Sequence, residues 1–88
     1  MGQSLAESIR ELEQHPDADI VRVKIPIEYG ALLLGLEDAV VEACFKLDIT
    51  ILEKQVTGFV FKNMYLKVEG RADRMLVFFK WLDSLLSE

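Results

Sequence analysis

The residues with types and spacings suited to chemistry are few. His15, Asp17 and Asp19 place an imidazole and two carboxylates within five positions, a pattern that can hold a cation or move a proton. A structural zinc site wants further histidines or cysteines. The chain has no second histidine and a single cysteine, so these residues are read as a solvated turn stopped by Pro16, with no metal and no cofactor expected. Cys44 is the one thiol. The predicted helix sets it near Val40 and Leu47, where apolar surroundings disfavour the thiolate. A Cys-His pair would also lack an identifiable third, orienting group, so no catalytic residue is assigned.

Two further groups carry charge. Gly70-Arg71-Ala72-Asp73-Arg74 marks a strand-to-helix turn, where helix amides and the guanidinium groups of Arg71 and Arg74 suit a phosphate or carboxylate. The competing reading is an ordinary helix start, with Asp73 in the first turn and both arginines in water. No glycine-rich phosphate cradle accompanies it. Glu37 lies at the margin of an apolar stripe. It is either a perturbed acid or a marginal group paired with a lysine such as Lys54. Gly58-Phe59-Val60-Phe61 partly follows the aromatic motif of RNA-recognition sheets, but Thr57 and Val60 depart from it.

The bulk numbers narrow the field. The chain has 88 residues, 51% hydrophobic and 28% charged, with a net charge of −5. That length is one domain, 1–88. The acidic balance opposes nucleic-acid binding, which draws on phosphate neutralisation, and opposes anionic membrane surfaces. One cysteine cannot form an internal disulfide, and no signal-peptide pattern opens the sequence. A cytoplasmic protein with neither nucleic acid nor membrane as partner is expected. The apolar content is high for so small a domain, whose surface-to-volume ratio favours polar residues.

The elements that position these residues follow from periodicity. Ser4-Leu5-Ala6-Glu7 is a capping box. Leu5, Ile9 and Leu12 make one face of a helix that ends at His15-Pro16. Residues 1–16 are thus an N-terminal amphipathic helix, and 18–88 form the rest. Val21, Val23, Ile25 and Ile27 alternate with Arg22, Lys24 and Pro26 in a strand over Ile20–Ile27, and Pro26 marks it as an edge. Tyr29-Gly30 turns into a helix over Ala31–Leu47. Its stripe is Leu32, Leu33, Leu36, Val40, Ala43 and Leu47, with a second ridge of Leu34, Val41 and Phe45. A strand within Thr50–Phe61 and another over Met64–Gly70 pair through a Lys62-Asn63 hairpin loop. This register buries Phe59 and Phe61 with Met64, Leu66 and Val68, leaves Val56, Val60 and Tyr65 on the far face, and gives Gly58 a bulge. A last helix over Ala72–Leu86 buries Met75, Phe78, Phe79, Leu82, Leu85 and Leu86, with Val77 and Trp81 on its flank.

This order predicts an α+β fold. It would be a ferredoxin-like βαββα sandwich, three antiparallel strands with two helices on one face, plus an extra N-terminal helix and no final strand. Apolar residues exceed what those layers need. Val56, Val60, Tyr65, Val77, Trp81, Leu34, Val41 and Phe45 therefore make up the expected oligomer or partner interface. The function expected is a non-enzymatic homo-oligomeric interaction or ligand-binding module, a dimer first, joined through the far sheet face, the first strand's edge, or both. The alternatives are an anion-binding protein or enzyme using Arg71 and Arg74 at an inter-subunit cleft, and a monomeric protein-binding adaptor with the first helix as its arm.

Overall fold

The computed structural model describes residues 5–30 and 35–86. The elements run α1 (Leu5–Gln14), β1 (Val21–Gly30), α2 (Leu36–Lys46), β2 (Thr50–Thr57), β3 (Phe61–Gly70) and α3 (Ala72–Leu86). The result is a small α+β protein with a three-stranded antiparallel sheet in the order β1-β3-β2. Residues from all three helices share one core with the sheet.

Alternation builds β1. Val23, Ile25, Ile27 and Tyr29 are buried while Arg22, Lys24, Pro26 and Glu28 face water. The strand runs past its expected end at Ile27: Tyr29 and Gly30 continue the ladder opposite Lys62 and Phe61 instead of turning. The core face of β3 is Met64, Leu66 and Val68, all fully buried. α3 covers it with Met75, Phe78, Phe79 and Leu82, at the helical spacing that puts them on one side. α1 packs against α3 and β1 through Leu12 and Ser8. The junction is tied where the Ala72 amide donates to the Ala18 carbonyl at 3.1 Å. α2 ends where the Leu47 amide donates to the Ala43 carbonyl, and Asp48, at φ 58°, turns the chain into β2.

The β2–β3 connection differs from expectation. Thr57 pairs with Asn63, so Lys62 and Asn63 belong to β3 and the turn is Gly58-Phe59-Val60. Gly58 sits at φ 99°, a conformation that glycine adopts without steric cost. The expected bulge at Gly58 lies instead between Ile51 and Glu53, leaving Leu52 as the extra residue. That extra residue reverses the alternation. Ile51, Lys54 and Val56 oppose the buried Val68, Leu66 and Met64, while Glu53 and Gln55 face outward.

α2 is described from Leu36 onward. The expected start at Ala31, the stripe residues Leu32 and Leu33, the ridge residue Leu34 and the Ser4 cap all lie outside the described residues. Within α2, Leu36, Val40 and Cys44 are buried.

Candidate functional site

Three surfaces stand out. The first is a groove between α2 and α3. Ala43 of α2 and Leu47, the residue that caps its C-terminus one turn on, face Val77 and Trp81, one turn apart on α3, with Phe78 as floor and Lys46 at the rim; the groove holds about 260 Å³. Trp81 is held in place by stacking on Phe78, ring centroids 6.0 Å apart. Val77 is 56% exposed.

The second surface is the hairpin tip. Phe59, Val60 and Phe61 are 92%, 71% and 65% exposed. The register predicted from sequence buried both phenylalanines, and that was wrong: Gly58 turns the chain before they reach the core face. The tip is the most solvent-exposed apolar run among the described residues.

The third surface is the sheet's far face. Arg22, Lys24, Glu28, Glu53, Gln55, Thr57, Asn63, Tyr65, Lys67 and Glu69 follow from the register and the alternation of β1, β2 and β3. This face is polar. The expected apolar trio breaks up, since Val56 lies half-buried on the core side opposite Met64, Val60 lies in the turn, and only Tyr65 looks outward. Of the α2 ridge, Val41 and Phe45 are exposed, Phe45 at 86%. They lie on the same flank as Glu37, one and two turns on. Glu37 pairs with Lys54 of β2 at 3.8 Å, the pairing read as its alternative to a perturbed acid.

The other sequence candidates stay apart. His15, Asp17 and Asp19 are exposed around a turn in which the Ala18 amide donates to the His15 carbonyl. Among the described residues no group of three or more His, Cys, Asp or Glu side chains is placed to hold a metal ion. Arg71 is engaged by Asp73, its Nε donating to Oδ1 at 3.2 Å, and the Arg74 amide donates to the same oxygen at 2.9 Å. No described helix is long and apolar enough to cross a membrane.

Burial governs the two perturbed groups. The Cys44 thiol is pushed up to about 11 from 9.0 by desolvation. The Tyr29 phenol is raised by burial first and by the Glu37 carboxylate second. Both hold their protons at neutral pH, so neither is a nucleophile there. A pH dependence follows. The unfolded thiol ionises from about pH 9, while the folded one keeps its proton to about pH 11. The stability that burial secures is whole below the lower value and is lost as pH rises to the upper one. Unfolding free energies from urea titration are expected to fall across that window by up to ~2 kcal/mol more for the parent than for Cys44→Ala. Equal slopes for the two proteins would contradict this origin.

Comparison with known proteins finds no matching family model, no matching curated protein and no matching solved structure.

Proposed function

We propose that this chain is a non-enzymatic, self-associating interaction module: a dimer in which each copy's hairpin tip fills the α2–α3 groove of the other. The observation that carries this is the Phe59-Val60-Phe61 tip, three large apolar side chains 65–92% exposed, on a chain that also carries an apolar groove. A projecting apolar run costs solubility unless something covers it. Aromatic side chains bury ~150–250 Å² each. Each partner contributes one tip, whose two phenylalanines bury ~300–500 Å², and one groove; Val60 and the groove walls add to this toward the ~800 Å² per partner of an ordinary stable interface. Reciprocal exchange also closes the assembly, where a one-way contact would propagate.

The strand order β1-β3-β2 supports reading the part after α1 as a ferredoxin-like sandwich without its last strand. A free, buried Cys44 fits a reducing compartment such as the cytoplasm. The adaptor alternative has less support, because Leu12 of α1 is 3% exposed within the shared core. So has the anion site at Arg71 and Arg74, since Asp73 already engages Arg71.

The test is solution mass by light scattering after size exclusion, over a wide concentration range. The parent chain is expected as a dimer, and Phe59→Asp and Val77→Asp as monomers with urea midpoints close to the parent's, both positions being exposed. A parent that stays monomeric sinks self-association. A dimer that survives both substitutions sinks the tip-in-groove contact.

A further inference from the structure

The register places two lysines side by side. Lys24 of β1 is directly opposite Lys67 of β3 on the far face of the sheet. Directly opposed residues have Cβ atoms ~4.5–5.5 Å apart, and like charges at that spacing are mutually destabilising. Among the described residues neither ammonium group has an ion-pair partner. The neighbouring row is already neutral, because Arg22 pairs with Glu69 at 3.5 Å. Glu53 stands on the other side of Lys67, across the β2–β3 pair, without closing an ion pair. Two unpaired cations are thus held together on a rigid ladder. They line an open depression of about 690 Å³ together with Glu53, Lys54, Gln55, Tyr65 and Leu66, so that the Glu53 carboxylate is the one acid at its wall.

We propose that this depression binds a small phosphate monoester, the phosphoryl group bridging Lys24 and Lys67 and the organic part lying over Tyr65 and Pro26. The chemistry selects the class. Two adjacent ammonium groups match an anion of charge near −1.5 to −2, which a phosphate monoester carries at neutral pH. A bridging phosphate also converts the lysine–lysine repulsion into two attractions. Tyr65 lies two residues from Lys67 and opposite Pro26, so a half-exposed ring and a flat pyrrolidine flank the cation pair. These offer an aromatic and an apolar surface for a planar body. The groove lies on other elements and the tip only begins β3 at Phe61, so the site stands independently of self-association.

The experiment titrates the full chain with phenyl phosphate, following backbone amide shifts by NMR, with phenol and inorganic phosphate as companions. Saturable shifts are expected at Lys24, Tyr65 and Lys67. Inorganic phosphate is expected to bind more weakly at the same amides, and phenol alone not to bind. Lys24→Gln and Lys67→Gln are each expected to weaken phenyl phosphate by about tenfold or more, while Arg71→Gln leaves it unchanged. A second readout concerns the unliganded protein: Lys24→Gln raises its thermal midpoint, and phenyl phosphate raises the parent's midpoint but not that of the doubly substituted chain. Absence of saturable shifts up to millimolar ligand overturns the proposal, as does binding that survives both lysine substitutions or shifts that map to Arg71.

Discussion

Phe78→Ala is expected to leave the domain unfolded or barely folded. Phe78 is fully buried, packs on Phe79 with ring centroids 5.4 Å apart, and supports Trp81 from beneath. Truncating a buried phenylalanine costs ~3–5 kcal/mol, part transfer and part cavity. A chain of 88 residues at ~0.05–0.15 kcal/mol per residue has only about 4–13 kcal/mol in all. The loss therefore takes a large share of total stability, where Val77→Ala next to it, on the exposed flank, is expected to change little. Urea denaturation decides: the Phe78→Ala midpoint should drop by about 2 M or more at the denaturant sensitivity of small domains. A drop as small as that of Val77→Ala would mean that the aromatic cluster is not the keystone its burial implies. Because Phe78 is also the groove floor, this variant should lose the proposed self-association even where it folds.

Gly58→Val is expected to be the most costly single change at the surface. Gly58 holds φ 99°. Side chains at such positive φ are strained by ~1–3 kcal/mol, most of all when β-branched. An added Cβ would also fall well inside contact distance of the Phe61 carbonyl oxygen, a backbone atom that cannot swing aside. Thermal unfolding should show a loss of at least ~2 kcal/mol, with Gly58→Ala milder and of the same sign. The exposed neighbour Thr57→Ala should be near neutral. Since Gly58 aims the tip, Gly58→Ala should also weaken the proposed tip-in-groove contact. A Gly58→Val protein as stable as its parent would show that the turn can re-form around another residue.

The parts of the fold that were legible have one signal each. α3 was, because fifteen residues without glycine or proline repeat apolar positions at helical spacing and Gly70 precedes them. β1 was legible as an edge through Pro26, though its end was set too early: Tyr29 continues the alternation and is buried. The β2–β3 turn was misplaced because burial was assumed to be the stronger claim on Phe59 and Phe61. The better signal was Gly58, which suits a positive φ. The Leu52 bulge also left a trace. Ile51 and Val56 are five apart and cannot share a face of a regular strand, so one extra residue between them was implied. Misplacing the turn hid the rest. Lys24 faces Lys67 only once the register of β1 and β3 is known, and the far face reads as polar only once Val56 is turned inward. The groove was partly foreseen through Val77 and Trp81; Ala43 and Leu47 had been placed in the core stripe, and both are only half-buried.

The contact between α1 and α3 sets an order of events. Most of the chain lies between these two helices, yet each is the other's neighbour. Closing so long a loop carries an entropic cost, so the local hairpin and strand–helix contacts are expected to form first and α1 to join α3 late. During synthesis the delay is longer still. At ~5–20 residues per second, α1 leaves the ribosome several seconds before α3 exists to receive it. For that interval Leu5, Ile9 and Leu12 lack the α3 side of their site and have only β1 close behind them. The three acids of α1, Glu7, Glu11 and Glu13, keep the waiting segment charged and in solution until its site is made.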